Sequence, residues 1–270
     1  MKKLTALILA IAICMGLGIT AFASGEAASR EPIMESEIET LIENAADDPD
    51  ELLSVYRSIA IAWEQGAIIG DKEETLPPDY AKAAEYFCLA GELGDGYYYF
   101  DAGELFENGL VSGSPDYVAA EECYIRAAGS DHPNCKGVRN IGQWYEHGNE
   151  YVEKDLRMAA AYYRWAILLD DVSSLCYLGK LYQQGSLSFN GEPDYYSAAE
   201  YYQLAADRGN DSATGVAPAL YQLGSFYENG LGVDMDLDTA LALYRRAAAA
   251  GENKLGEFYP DAVAAVNRLG

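Results

Sequence analysis

The sequence LGKLYQQG at residues 178–185, followed by DYYSAAEYYQLAADRG at residues 194–209, decides the fold. Asp194 is a favourable helix N-cap, and Gly185 is the residue type that ends a helix in the left-handed conformation. The second stretch places small and aromatic residues at intervals of three and four, as on one helix face: Ala198, Tyr201, Tyr202, Ala205 and Ala206. The two stretches therefore predict a pair of α-helices joined by a loop.

The same pattern occurs five times along the chain. A first motif, apolar–small–x–x–aromatic–x–x–Gly, begins at Ile59, Ala102, Ile141, Leu178 and Leu223. A second motif opens with an aspartate four residues before an alanine, at Asp79, Asp116, Asp155, Asp194 and Asp236. Such self-similarity at a nearly constant period is typical of a helical repeat protein. We predict repeats at residues 52–94, 95–131, 134–170, 171–209 and 216–251.

The combined pattern, LG-x-x-Y-x-x-G and then D-x-x-x-A-x-x-Y-Y-x-x-A-A-x-x-G, resembles the Sel-one-like repeat family, relatives of the tetratricopeptide arrays. The resemblance covers about residues 50–251 and implies an all-α fold, a right-handed α/α solenoid of about five helix-pair repeats. Solenoids need terminal elements that cover exposed core. We therefore expect capping helices at both ends, the C-terminal one at residues 258–270, and a single solenoid over residues 34–270.

Small residues inside the first helix of each repeat require a packing explanation, because glycine within a helix costs about 1 kcal/mol relative to alanine. We expect these glycines to let the paired helix approach closely, with its alanines on the other side of the contact. Aromatic residues one turn later would fill the space beside them. The structural positions are Gly103, Gly142, Gly179 and Gly224, with Tyr145, Tyr182 and Tyr227 as the aromatic partners.

The N-terminal segment has the features of a cleavable signal peptide over residues 1–23. Lys2 and Lys3 precede an apolar run over residues 4–19, and Ala21-Phe22-Ala23 fits the small-x-small cleavage pattern. We predict cleavage after Ala23, a flexible tail at residues 24–33 and a secreted or extracytoplasmic protein. The alternative is an uncleaved anchor helix, which the short length of the run disfavours.

The charge of the chain restricts its partners. Forty-three acidic and 18 basic residues give a formal net charge of −25. Because so few cations cannot form a phosphate-neutralising surface, the composition argues against nucleic-acid binding. A field of this sign would attract a basic partner, although simple solvation of an exported domain is the favoured interpretation.

The sequence offers little for catalysis or for metal and cofactor binding, so we expect no enzyme, metal or cofactor. The two histidines, His132 and His147, lie at a helix junction and beside a helix-ending glycine. Asp234, Asp236 and Asp238 imitate the start of a calcium loop, but the glycine and glutamate of that motif are absent. Four cysteines follow the signal segment at irregular spacings and favour buried thiols, with possible disulfides left open: Cys88, Cys123, Cys135 and Cys176.

Two sets of residues are candidates for binding on the inner, concave face of the first helices. One is a pair of polar residues before each closing glycine. The first residues of these pairs, which we call the polar row, are Glu64, Glu107, Glu146, Gln183 and Glu228, and the second residues are Gln65, Asn108, His147, Gln184 and Asn229. The other is a group of tyrosines outside the packing pattern, at positions 97–99, 177 and 221. Exposed tyrosine is a common contact residue for peptides, but local packing is the alternative. The predicted partner-binding residues are Tyr98, Glu107, Gln143, Glu146, Tyr177, Gln183, Tyr221 and Glu228.

These observations predict an exported scaffold or adaptor that binds a protein or peptide in the concave face. The resemblance agrees, since it implies a scaffold role in signalling and envelope complexes. The alternative is an envelope enzyme or a carbohydrate- or cell-wall-binding protein that uses groove carboxylates and tyrosines. A purely structural spacer is a third reading. The identity of the partner, the oligomeric state and the biological process stay open.

Overall fold

The computed structural model describes residues 32–70, 73–209, 216–251 and 259–270. The predicted signal peptide, its cleavage site and residues 24–31 of the predicted tail lie outside these described residues. Over the described residues the protein is about 70% helical with little strand, an all-α fold as predicted. Its twelve α-helices, numbered α1 to α12, are Ile38–Ala45, Pro49–Gln65, Tyr80–Glu92, Gly96–Glu107, Tyr117–Gly129, Lys136–His147, Leu156–Leu168, Val172–Gln183, Tyr195–Arg208, Val216–Asn229, Leu237–Gly251 and Tyr259–Leu269.

The helices divide into two compact units at residue 137. In the first unit, α1 packs against α2, α2 against α3, α3 against α4, and α4 against α5. In the second unit, α7 packs against α8, and each later helix packs against the next as far as α12. The predicted terminal capping helices are therefore present as α1 and α12.

Aspartates begin the second helices of the repeats, as the sequence predicts. The carboxylates of Asp79, Asp116 and Asp194 each accept a hydrogen bond from the backbone amide three residues later. Asp155 and Asp236 each accept two bonds, from the backbone amides two and three residues later. Each cap satisfies amides that the helix leaves unpaired, and is worth about 1 kcal/mol. Three caps of this kind were not predicted from the sequence, at Asp48, Asp95 and Asp171.

Glycines end the first helices, also as predicted. Gly66, Gly109, Gly148, Gly185 and Gly230 all have φ between 65° and 77°, the left-handed region that favours glycine. The alanines that open the second helices are completely buried: Ala83, Ala120, Ala159, Ala198 and Ala240. The repeated motif therefore specifies both the ends of the helices and the face that packs.

A short parallel pairing near the N-terminus was not predicted. Ile33–Met34 forms strand β1, which pairs with β2 at Ile68–Ile69, directly after the turn at Gly66. Ile33 was expected to end a loose tail, yet only 7% of its surface is exposed, and Ile68 is fully buried. Burial of these two apolar side chains beside α2 explains why the chain is ordered there.

No helix among the described residues is long and apolar enough to cross a bilayer. The four cysteines of the described residues form no disulfide.

Candidate functional site

In the last four repeats, a tyrosine of the second helix donates a hydrogen bond to the polar-row residue of the first helix. The hydroxyl groups of Tyr163, Tyr202 and Tyr244 donate to Glu146 at 2.6 Å, to Gln183 at 2.7 Å and to Glu228 at 2.8 Å. Tyr124 donates to Glu107 in the same way. The donor always occupies the second position of the pair that is Tyr-Tyr in the third and fourth repeats. In the first repeat that position is Phe87, which has no hydroxyl, so it cannot donate to Glu64.

The same residues also link consecutive repeats in the second unit. Gln143 donates to the hydroxyl of Tyr177 at 2.7 Å, and Lys180 forms an ion pair with Glu146 at 3.1 Å. Gln183 contacts Gln222 at 3.4 Å, and Arg268 of the C-terminal helix pairs with Glu228. These polar side chains therefore connect each first helix to the one that follows it.

These contacts change the expected role of the predicted binding residues. Glu146 is buried, at 6% exposure, and Tyr98 is buried at 9%, which corrects the expectation that they face solvent. Tyr177 stacks on Tyr163 with ring centroids 5.1 Å apart, and Tyr221 lies 5.5 Å from Tyr244. Glu107, Gln143, Gln183 and Glu228 are partly buried and hydrogen-bonded. Tyr98 belongs to the hydrophobic core of the first unit, so intrachain packing or hydrogen bonding accounts for the position of every one of these residues.

The glycines of the first helices lie against the same tyrosine rings. A Cβ added to Gly142 would lie 2.6 Å from the ring of Tyr163, and one added to Gly103 would lie 2.5 Å from Tyr124. Gly179 and Gly224 face Tyr202 and Tyr244 in the same way. The expectation that alanines occupy the other side of this contact is wrong, because a tyrosine ring fills the space that the missing side chain leaves.

We expect Tyr163→Phe to lower the free energy of unfolding by about 2 kcal/mol, because it removes a hydrogen bond to a buried carboxylate. Tyr202→Phe is the matched variant, since the acceptor there is the neutral amide of Gln183, and its expected cost is about 1 kcal/mol. Urea denaturation of both variants measures the difference. Unchanged stability in both would show that the tyrosine hydroxyls do not hold the polar row.

An acidic cleft in the first unit is the strongest candidate site. It lies between α2 and α4, the first helices of repeats one and two, and has a volume of about 580 Å³. Four carboxylates face it, two of them from the middle of α4. Its polar and aromatic lining residues include Arg57, Glu64, Asp95, Tyr97, Tyr98, Asp101 and Glu104.

The carboxylates of the cleft repel one another and are partly withdrawn from water. Burial, with the negative charges of Glu104 and Glu64 nearby, raises the pKa of Asp101 from 3.8 to about 7. Burial also raises the pKa of Glu64 and, with the charge of Glu107, that of Glu104. A cation entering the cleft would relieve this repulsion.

Two cationic side chains balance only part of this charge. Arg57 from α2 lines the cleft with Tyr98, and its charge opposes the rise in the pKa of Tyr98 that burial causes. Lys136, from the start of α6, lies 5.6 Å from the ring centroid of Tyr97, and its charge lowers the pKa of Asp101. Two cations against four carboxylates leave an excess of negative charge at the cleft.

The aromatic wall of the cleft is partly open. Tyr97 is 40% exposed, whereas Tyr98 stacks on Phe87 with ring centroids 6.5 Å apart. An exposed tyrosine ring beside carboxylates suits the ammonium or guanidinium group of a basic side chain. Within the described residues, no group of three His, Cys, Asp or Glu side chains is arranged to hold a metal ion.

Sequence reasoning singled out Tyr98 and the Glu64 position but missed Asp101 and Glu104. A signal for them existed, since Tyr97, Asp101, Glu104 and Asn108 recur at intervals of three and four residues on α4. That spacing predicts one polar helix face. It does not predict that Glu64, which is on α2, lies opposite that face and lines the same cleft.

A family model described as Sel1 repeat matches five segments of the chain, at residues 70–95, 97–132, 136–171, 172–210 and 217–252. The last four segments lie within two residues of the repeats predicted from the sequence. The first begins at residue 70, so it leaves out α2, whose closing motif was assigned to repeat one.

Known proteins support the same architecture. The chain is 33% identical over 135 residues to the chitin synthase regulator SKT5 of Saccharomyces cerevisiae, a match that covers 50% of this chain and 18% of that protein. The crystal structure of a Sel1 repeat protein from Oxalobacter formigenes aligns with a TM-score of 0.61 and 22% identity, over 92% of this chain and 85% of that one.

A second solved structure is c5321, a protective antigen of uropathogenic Escherichia coli strains that displays an SLR fold. It aligns with a TM-score of 0.55 and 22% identity, over 94% of this chain and 48% of that chain. At this identity the likeness concerns the fold. The chain thus spans less than half the length of two of the proteins that it matches.

Proposed function

The chain belongs to the Sel1 repeat family, and from this premise we propose that it is an exported scaffold that binds a basic segment of a partner protein in the acidic cleft. Proteins with these repeats typically serve as scaffolds for protein–protein interaction and are generally non-catalytic. The observation that carries the proposal is the cleft between α2 and α4, with its excess of carboxylates and its exposed aromatic ring.

Charge complementarity defines the chemistry of the partner. A lysine or arginine side chain of a bound peptide would place its cation among Glu64, Asp101 and Glu104 and its aliphatic stem along Tyr97. The net charge of −25 adds long-range attraction for such a partner and speeds encounter at low salt. The N-terminal signal segment supports the part of the proposal that concerns export.

Ionisation of the cleft links binding to pH. The charges that face Asp101 are Glu64 and Arg57 from α2, Asp95 and Glu104 from α4, and Lys136 from α6. Because the pKa of Asp101 is about 7, its carboxyl group is protonated in much of the unbound protein at neutral pH. A cationic peptide favours the ionised form, so its affinity should increase as the pH rises from 6 to 8.

The variant Glu64→Gln/Glu104→Gln tests the proposal, because it removes one negative charge from each of the two helices that line the cleft. We expect this variant to bind a labelled lysine- and arginine-rich peptide at least about tenfold more weakly than the wild type, a loss of about 1.4 kcal/mol. Fluorescence anisotropy at physiological ionic strength measures the dissociation constant. The Debye length there is about 8 Å, so only charges near the peptide contribute strongly.

The matched control is Glu150→Gln/Glu153→Gln. It makes the same change in net charge at two exposed positions of the second unit. We expect its dissociation constant to stay within about twofold of the wild-type value, because screening removes the effect of distant charges. Equal weakening by both double variants would indicate unspecific attraction to an acidic protein, and a wild type that does not bind the peptide would refute the proposal.

A second candidate function is hydrolysis of a cell-wall or other polysaccharide, and one observation favours it. A carboxyl group with a pKa of about 7, as at Asp101, is suited to general acid catalysis, and Glu64 and Glu104 offer a second carboxylate. Release of reducing sugar from peptidoglycan or chitin by the wild type, abolished in Asp101→Asn, would support this candidate. No release, or equal release by both proteins, would reject it.

A further inference from the structure

The second helix of repeat three, α7, carries apolar residues on the side that is exposed to solvent. They recur at intervals of three and four, as on one helix face, and we call them the α7 stripe: Met158, Ala161, Trp165 and Leu168. Leu168 is 82% exposed and Met158 is 39% exposed, while Trp165 is partly buried. Other residues of α7, among them Ala159 and Tyr163, form its core side. Packing of the repeat therefore does not account for the stripe.

The other second helices show that the repeat does not require apolar residues on this face. The comparison uses the positions six and thirteen residues after the capping aspartate, which in α7 are Ala161 and Leu168. The corresponding pairs of the first, second, fourth and fifth repeats are Glu85 and Glu92, Glu122 and Gly129, Glu200 and Asp207, and Ala242 and Ala249. The five acidic residues among them are exposed. A face that is acidic in three repeats is thus apolar in the third.

Positive charge accompanies the stripe. Arg157 and Arg164 are exposed, lie along one side of the stripe and are the only charged residues of α7. They are seven residues apart, which is about 10.5 Å along a helix axis. Among the described residues neither arginine forms an ion pair with a carboxylate, and Arg164 donates instead to the hydroxyl of Tyr182 at 3.0 Å.

We propose that the α7 stripe and its two arginines are a docking surface for an acidic amphipathic helix of a partner protein. Apolar side chains of that helix would pack on Trp165 and Leu168. Carboxylates seven residues apart on it would reach Arg157 and Arg164 and form charge-assisted hydrogen bonds. The stripe is about 15 Å long, so it accommodates about three turns of the partner helix.

Charge favours this occupant over the two other classes of surface that could cover an apolar stripe. Two-fold pairing of α7 with α7 of a second copy would place the arginine side of one helix beside the arginine side of the other, and like charges repel. An anionic membrane would be repelled by the net charge of −25. An acidic helix meets neither obstacle at the arginines.

The α7 surface is independent of the acidic cleft. The cleft belongs to the first unit and α7 to the second, and the two surfaces select partners of opposite charge. With both, the scaffold could bind a basic segment and an acidic helix at the same time. Either proposal can fail without the other, because each is tested with its own peptide and its own variants.

The test uses a labelled synthetic peptide that forms an amphipathic helix, with leucines at intervals of three and four and glutamates seven residues apart beside them. The variant Ala161→Glu/Leu168→Asp gives α7 the residues that α9 carries as Glu200 and Asp207, so the fold should accept them. We expect the variant to bind the peptide at least about tenfold more weakly than the wild type, measured by fluorescence anisotropy. Circular dichroism should show an unchanged Tm.

Three variants and a second peptide control the result. Met235→Asp/Leu237→Glu makes the same change in net charge at two exposed apolar positions of the second unit, and its dissociation constant should stay within about twofold of the wild-type value. Arg157→Gln should weaken binding about threefold, as expected of one exposed ion pair. The cleft variant Glu64→Gln/Glu104→Gln should bind the acidic peptide as the wild type does. A peptide with lysines in place of the glutamates should bind the stripe more weakly.

Four results would overturn the proposal. One is a wild type that does not bind the acidic peptide, and another is equal binding by the wild type and Ala161→Glu/Leu168→Asp. A wild-type dimer that this variant loses, detected by light scattering, would assign the stripe to a second copy of the chain. Binding of the wild type to phosphatidylcholine vesicles, lost in the same variant, would assign it to a lipid surface.

Discussion

Replacing Gly103 by alanine should lower the free energy of unfolding by about 2 kcal/mol, although alanine is the better helix former. The added Cβ would lie 2.5 Å from the ring of Tyr124, which is completely buried and donates a hydrogen bond to Glu107. Overpacking of this kind costs about 1 to 3 kcal/mol, and displacement of the ring also weakens the hydrogen bond. The gain in helix propensity offsets only about 1 kcal/mol of that cost.

Gly129→Ala is the matched control in the same unit. Gly129 ends α5, and a Cβ there would meet no atom within 4 Å. We expect this variant to be as stable as the wild type or more stable by about 0.5 kcal/mol. Thermal unfolding followed by circular dichroism compares the two. If Gly103→Ala melted at or above the wild-type temperature, the packing of tyrosine rings on helical glycines would not explain the repeated motif.

Replacing Asp101 by asparagine should raise the free energy of unfolding by about 2 kcal/mol at pH 8. The folded protein holds the pKa of this carboxyl group at about 7 rather than 3.8, so keeping it ionised in the cleft is unfavourable. That difference corresponds to at most about 4 kcal/mol. We expect about half, because the cleft is open to water, which screens the charges.

The pH dependence of this gain has a definite sign. Below pH 4 the carboxyl group is protonated in both the folded and the unfolded chain, so Asp101→Asn should change little. Between pH 4 and 7 the unfolded chain releases the proton first, so wild-type stability falls as the pH rises and the variant gains. Chemical denaturation across this range measures the difference.

Asp47→Asn is the control for the change of charge. Asp47 is exposed on the same unit, and we expect an effect within about 0.5 kcal/mol at every pH. If Asp101→Asn were no more stable than the wild type at pH 8, ionisation of Asp101 would not destabilise the folded protein, which would contradict the raised pKa.

The sequence was sufficient for the architecture because the signals are local. An aspartate cap such as Asp79 and a left-handed glycine such as Gly66 act through backbone groups within a few residues. The buried alanines follow from helical periodicity in the same way. Repetition then reinforces each signal, so five weak motifs in register predict five helix pairs.

The polar row was interpreted incorrectly in part because its partners are remote in sequence. Glu146 repeats as a polar position before a glycine, which resembles a solvent-exposed face. In the structure it accepts from Tyr163, 17 residues later, and pairs with Lys180, 34 residues later. Periodicity shows which residues share a face of one helix, but it does not show which neighbour covers that face.

The acidic cleft was missed for the same reason. Glu64 and Asp101 are on separate first helices. Their proximity depends on how one repeat stacks on the next. No local rule of helix formation contains that information.

The most direct test of the proposed binding site is calorimetric titration of the basic peptide at pH 7 in two buffers with different enthalpies of ionisation. If the cation enters the cleft, it favours the ionised form of Asp101, so binding should release a substantial fraction of a proton. Asp101→Asn should bind with markedly smaller release. Binding without proton release by the wild type, or equal release by both proteins, would place the peptide elsewhere and contradict the account.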